Sequence, residues 1–388
     1  MKILAWEHKN FGIEDMKEAM ANLGNDFRVI STELLLERSS KEFDALFEEA
    51  MADRPDVVFS FNYSAVISNN CNRYGIPYVA WVYDSPLLVL YSYTITNPCN
   101  FIFLFDSAQY LELKNGGIDT VYYMPLAANV DRLARMRAKI DDKVHDVCDS
   151  AISFVGSMYN EKGNFYERLE ALPDYVKGYL EGIMEAQLEV YGANFIEELL
   201  TTNILEEIQR VLPYRPAPGG VERPARVYAD YFLGRKMAQI ERQRILQMLS
   251  EKYPVKLFTH HATPNLPKVT NMGAIDYYDV MPYVFMCSDI SLNISLRSIR
   301  SGIPLRCMDI MGAGGFLLTN YQADFGNHFV AGEDYVYYDS ANDCLSKCDY
   351  YLSHASERNQ MAANALGKMK EFHTYEATWK RMMEYLPL

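Results

Sequence analysis

Three short apolar runs, VVFSF at 57–61, YVAWVY at 78–83 and FIFLF at 101–105, restrict what this chain can fold into. Each is continuous rather than alternating, the pattern of a strand covered on both faces, and helical stretches separate them. Together with KILAW before them and TVYYMPLA after them, they give the grammar of a parallel sheet wrapped by helices. The same grammar returns later in AISFVGS, VKLFTHH, ISLNIS and GGFLLTN. Two such sets in 388 residues predict two Rossmann-like α/β lobes with a cleft between them, since one to two hundred residues is the usual size of a domain.

The expected division is 1–147 for an acceptor-side lobe and 148–370 for a second lobe, with 371–388 returning as a helix toward the first. Apolar positions at three- and four-residue spacing from about 163 to 250 predict a helical insertion in the second lobe, a candidate for acceptor or subunit contacts and hence for a homo-oligomer. The PYRPAPGGVERPAR stretch inside it, with four Pro and two Gly, predicts a loop or extended crossing.

A formal charge of -14 opposes binding to nucleic acid or to anionic lipid. Seven cysteines without a C-x-x-C pair give neither a disulfide framework nor a zinc site, and imply a reducing compartment. The MKILAW start lacks the apolar core of a signal peptide, and no run approaches the roughly eighteen apolar residues of a membrane span, so a cytoplasmic location is expected.

The densest chemical signal is ISLNISLRSIRSGIPLRCMDIMGAGGFLLTN, 290–320. A strand leads into a loop with Arg297, and a helix starts near Pro304, which suits a first turn. The free N–H groups of that helix suit a diphosphate, and Arg306 can add a two-pronged contact. Asp309, one turn on, can accept hydrogen bonds from a ribose diol, unless Arg306 and Asp309 simply pair on a solvated face. Gly314 and Gly315 let backbone pass close to a ligand or to the sheet.

Gly156 and Ser157 follow a strand and form either a phosphate-contacting turn or only a tight turn. Lys162 nearby reads as a solvated charge. Gly273 and Tyr277, in VTNMGAIDYYDVMP, read from the residues alone as part of a strand-to-helix loop. His260 and His261 would point to opposite faces of a strand, so no metal is assigned. In the first lobe Asp84 ends a strand as a candidate catalytic base or as a turn starter. Asp106 is a second carboxylate in the same topological position, and Asn10 and Asn62 are candidates for acceptor hydroxyls.

The run GIPLRCMDIMGAGGFLLTNY, with NISLRSIRSG, YLSHASERNQMAANAL and EFHTY, resembles the C-terminal half of the CgeB-like (spore maturation protein) glycosyltransferases, and YVAWVYDSP, NFIFLFD and YYMPLAA are similar to the N-terminal region of that family. The resemblance implies the GT-B arrangement and transfer of a sugar from a nucleotide-sugar donor, with a UDP-sugar expected, to an unidentified acceptor. It places Gly156 and Ser157 at the donor and Asp309 at the ribose, and VTNMGAIDYYDVMP resembles the GT-B loop that lines the base, with Gly273 and Tyr277 as the base-lining candidates if it is not an ordinary loop. Relatives with an E-x7-E donor motif carry their first Glu where this chain has Ser301, so stereochemistry does not carry over. A sugar-nucleotide epimerase of the same architecture, or a non-catalytic nucleotide-binding scaffold, are the competing readings. The absence of Asp-x-Asp predicts a transferase that needs no metal, and no other cofactor is expected.

Overall fold

The computed structural model of the protein describes residues 1–161 and 166–387. Lys162 and the first residues of the expected insertion lie outside that description. Two compact units are formed: Met1–Ala128, Arg215–Pro224 and Phe372–Leu388 make the first, and Asn129–Tyr214 with Ala225–Glu371 make the second.

In the first unit, strands β1 (Lys2–Glu7), β2 (Asp26–Ser31), β3 (Val57–Phe61), β4 (Tyr78–Val82), β5 (Asn100–Leu104) and β6 (Val121–Tyr123) lie in the order β2-β1-β3-β4-β5-β6. Every pairing is parallel. All five residues of β3 and of β4 are buried, which is why both read as unbroken apolar runs. The strand order reverses direction between β1 and β3. Ligands of such sheets gather outside the carboxyl ends of the strands at a reversal of this kind.

The first unit is completed by two later pieces of chain. Residues 215–224, expected as a loop or crossing, are tied down: Val221 N donates to the Tyr91 carbonyl at 2.8 Å and Tyr93 N to the Gly219 carbonyl at 3.1 Å. Glu222 is buried and pairs with Arg38 at 2.9 Å. Helix Tyr375–Met383 starts at an N-cap in which Thr374 accepts from Ala377 N, separating it from helix Ala355–Phe372. It supplies aromatic cover, with Trp379 edge-on to Phe59 and Tyr375 edge-on to Trp81.

The second unit holds β7 (Ser150–Val155), β8 (Val255–Phe258), β9 (Thr270–Asn271), β10 (Ser288–Asn293), β11 (Leu317–Asn320) and β12 (Val336–Tyr338) in the parallel order β12-β11-β10-β7-β8-β9. Its reversal lies between β7 and β10. The unit begins at residue 129 rather than 148, since helices Val130–Arg137 and Asp142–Cys148 pack on Met281–Cys287 through a cluster that includes Cys148 and Val284. Helix Gly234–Ser250 is the crossover between β7 and β8, with Ile245, Leu246 and Leu249 in the sheet core, so it is part of the lobe itself and not of an insertion. Periodicity alone did not distinguish the two, because both present one apolar stripe. No helix among the described residues is long and apolar enough to cross a membrane.

Candidate functional site

At the β7/β10 reversal, Gly156 follows β7 and Asn293 ends β10. The amide of Gly156 donates to the Phe258 carbonyl at 3.0 Å, fixing the turn. A Cβ on Gly156 would stand 2.6 Å from Nη2 of Arg306, so any larger residue there must displace that guanidinium. Arg306 lies in the first turn of helix Leu305–Gly312, whose N-cap is Pro304, one residue before the position expected. Its Nη1 donates to Oδ1 of Asn293 at 2.8 Å, and its guanidinium lies 5.1 Å from the Phe154 ring centre.

Asn293 is fully buried and holds this geometry: its Nδ2 donates to Ser295 Oγ and Thr319 Oγ1, both at 2.9 Å. A second guanidinium, that of Arg242, reaches the same ring at 5.3 Å from helix Gly234–Ser250. Arg242 is buried, donates from Nε and Nη2 to the Ile294 carbonyl at 3.2 and 2.7 Å, and from Nη1 to the Ser157 carbonyl at 2.5 Å. Among the described residues, every hydrogen bond of these two guanidiniums ends on a neutral oxygen. Burial first, and the Arg242 charge second, pull the Arg306 guanidinium down to about 10, still cationic at neutral pH. Two cations without a carboxylate ion pair, beside a helix N-terminus, make a site for a polyanion.

Asp309 sits one turn beyond Arg306, buried, and accepts from the Tyr277 hydroxyl at 3.1 Å. The phenol expected to face a base is thus turned to the carboxylate expected to hold a ribose. Gly273, at φ +81, donates its amide to Asn271 Oδ1 at 2.9 Å in the loop that carries Tyr277. Ser157 also caps its own loop, its Oγ accepting from Tyr159 N at 3.1 Å.

Three expected donor contacts lie elsewhere. Arg297 is buried, pairs with Glu241 at 3.0 Å and lies 4.0 Å from the Tyr191 ring centre, with Tyr191 donating to Glu241 at 2.6 Å. Its charge is answered inside the unit, so it stabilises the loop after β10 rather than facing the crevice. Gly314 and Gly315 sit at the opposite end of helix Leu305–Gly312 from Arg306, about 12 Å away by helical rise. A Cβ on Gly314 would lie 2.8 Å from Arg137 Nη2, and one on Gly315 2.5 Å from the Phe285 carbonyl. Both glycines therefore make room for neighbouring helices, Val130–Arg137 and Ala355–Phe372 at Gly314 and Met281–Cys287 at Gly315. The histidines at 260 and 261 follow β8 and are outside any strand, and the His261 carbonyl accepts from Asn271 Nδ2.

Among the described residues, one trio of metal-type ligands, His145, Asp149 and Cys287, brings its ligand atoms within 4.8 Å. It lies at the amino ends of β7 and β10, the edge of the sheet away from Gly156.

In the first unit, Asn62 follows β3 in the left-handed region at φ 57, which asparagine tolerates. Its Oδ1 accepts from the amides of Tyr83 and Asp84, both at 3.1 Å, and its Nδ2 donates to Asp84 Oδ2 at 2.8 Å. Asp84 is open to solvent in area, yet surrounding protein desolvates it and pushes its carboxyl above the usual aspartate range, with the Asn62 bond pulling the other way. Asn10 accepts at Oδ1 from the Tyr83 hydroxyl at 3.2 Å. Asp106 is instead the buried N-cap of helix Ser107–Asn115, accepting from Gln109 N at 3.1 Å, a structural use of the carboxylate rather than an acceptor contact.

Residues 235–384 match a family model described as glycosyl transferase-like. Solved structures align over nearly the whole chain. A glycosyltransferase from Rickettsia africae is 11% identical with a TM-score of 0.53, covering 99% of this chain and 97% of its own. Sucrose-phosphate synthase from Thermosynechococcus elongatus is 10% identical with a TM-score of 0.56, covering 99% and 98%. The Anabaena protein HepE in complex with UDP-glucose is 8% identical with a TM-score of 0.52, again covering 99% and 98%. Among curated proteins no sequence matches. The two parallel six-stranded sheets are those of the two-lobed GT-B glycosyltransferase fold.

Proposed function

We propose that the chain transfers a sugar from a nucleotide-sugar donor, a UDP-sugar, to an acceptor hydroxyl, without a metal ion. The observation that carries this reading is the Arg242–Arg306 pair at the β7/β10 reversal, two buried or half-buried cations that, among the described residues, bond only to neutral oxygens beside a helix N-terminus. A donor diphosphate supplies the missing negative charge. Its placement there sets Asp309, one turn along the same helix, to receive the ribose hydroxyls, with the loop of Gly273 and Tyr277 at the base. The GT-B fold, the glycosyl transferase-like match and the CgeB-like run around Arg306 support the same assignment.

In the reaction, the acceptor oxygen forms a bond to the anomeric carbon as the bond from that carbon to the diphosphate oxygen breaks. The electron pair leaves on the diphosphate, where Arg242, Arg306 and the helix N-terminus stabilise the growing charge in place of a metal. Asp84 takes the acceptor proton, and its raised pKa makes it a stronger base than an ordinary aspartate. Asn62 holds that carboxylate in place.

Titration calorimetry tests the donor half. UDP, alongside other nucleoside diphosphates, should bind the wild type and lose affinity in Arg242→Met and Arg306→Met. Asp309→Asn should cost about 1.5 to 3 kcal/mol, the range for a hydrogen bond to a charged group. Undiminished nucleotide affinity in a folded Arg242→Met protein sinks the assignment.

A further inference from the structure

The crevice at the β1/β3 reversal of the first unit has the opposite electrostatic character to the one at β7/β10. Its loop ends are stitched together by amides, a phenol and one carboxylate, with no cation among them: Asn10 after β1, Asn62 after β3, and Tyr83 with Asp84 after β4. Beside Asn10, the Phe11 side chain is half exposed, at 51%. The backbone that presents it is tightly held. Gly12 has φ 91, and a Cβ there would meet the Tyr375 hydroxyl at 2.6 Å.

Charge around these loop ends is negative or already matched. Glu7, at the end of β1, accepts from Ser31 Oγ and from Asn10 N. Lys9 pairs with Glu33 at 3.5 Å, and Arg38, beyond β2, pairs with buried Glu222 at 2.9 Å. Asp84 adds a carboxylate and Asp106 is spent as a helix cap. His8 is the remaining titratable group of the β1 loop. A phosphorylated, sulfated or carboxylated acceptor would meet like charge here.

Resting on the glycosyltransferase reading above, we propose that this crevice takes an uncharged carbohydrate as the acceptor, with a sugar face against the Phe11 ring, hydroxyls on the Asn10 and Asn62 amides, and the reacting hydroxyl presented to Asp84. A pyranose ring offers one apolar C–H face and a rim of hydroxyls. An exposed aromatic flanked by amides and a single carboxylate reads both parts and needs no cation.

The test uses the full chain on an immobilised array of neutral, sulfated, phosphorylated and sialylated oligosaccharides together with Ser/Thr peptides, and measures the UDP-induced thermal shift of the same samples. Binding should be confined to neutral glycans and should fall about tenfold or more in Phe11→Ala, while the UDP shift stays at its wild-type value. Preference for anionic glycans or for peptides overturns the proposal, as does unchanged glycan binding in Phe11→Ala. A UDP shift without any glycan binding also overturns it and leaves the donor reading standing, whereas neutral-glycan binding without a UDP shift supports it and removes the donor reading instead.

Discussion

Asp84 is governed by two opposed influences, desolvation that raises its pKa and the Asn62 amide that lowers it. As a base it works ionised, so activity should fall on acidification through a pKa above the ordinary aspartate value of about 4. Removing the donor in Asn62→Ala disfavours the carboxylate, so the acid limb of the turnover profile should move to still higher pH. Asp84→Asn should abolish that limb and lower turnover by about a hundredfold or more while nucleotide affinity holds. Because the folded pKa is the raised one, ionised Asp84 contributes no stability at neutral pH, and the Asn variant should melt no lower than the wild type. A limb that stays in place in both variants would assign the base elsewhere. Arg306 and Asp309 were legible in the sequence because they share a helix with Pro304 at its start. Arg242 was not, since 64 positions separate it from Arg306 and only the sheet topology brings the two together. Arg297 was chosen by nearness in sequence, yet a loop orientation that periodicity does not encode turns it onto Glu241.

The elements themselves were easier to read than their assignments. Continuous apolar runs located the buried strands, and the alternation with helices gave the parallel order, because burial on both faces leaves a direct trace in composition. The glycines at the two ends of the Arg306 region carry the same pair of readings in the sequence, ligand approach or tight packing, and the structure gives them different neighbours. Gly156→Ala should displace the Arg306 guanidinium, weakening nucleotide binding by about tenfold with a small change in melting temperature. Gly315→Ala drives a Cβ into the Phe285 carbonyl and should instead lower stability by about 1 to 3 kcal/mol in denaturant titrations. If both substitutions act on stability alone, Gly156 has no part in shaping the site.

At the scale of the whole molecule, the two units carry crevices of unlike charge, one with unmatched guanidiniums and one with carboxylates and amides. In the proposed reaction, cationic side chains take the role that a divalent ion plays in sites where carboxylates hold the metal that binds the diphosphate. Turnover should survive excess EDTA, and added manganese should change it by less than about twofold. Loss of activity in chelator with recovery on manganese would refute this. Two lobes were legible from length and from the repeated strand grammar. The attachment of residues 215–224 and 372–388 to the first unit was legible only in part, because contacts distant in sequence leave no periodic signature.

The first unit draws on three separated stretches of chain, and the last of them carries Tyr375 and Trp379, which cover Trp81 and Phe59. During synthesis on the ribosome the first 128 residues emerge with Phe59 and Trp81 uncovered and stay so until residues 372–388 have emerged. The second unit, whose residues end at 371, has its whole sequence available earlier. Order of emergence thus inverts order of completion: the unit whose first strands come earliest in the sequence closes its core only after residues 372–388 have followed the whole of the second unit.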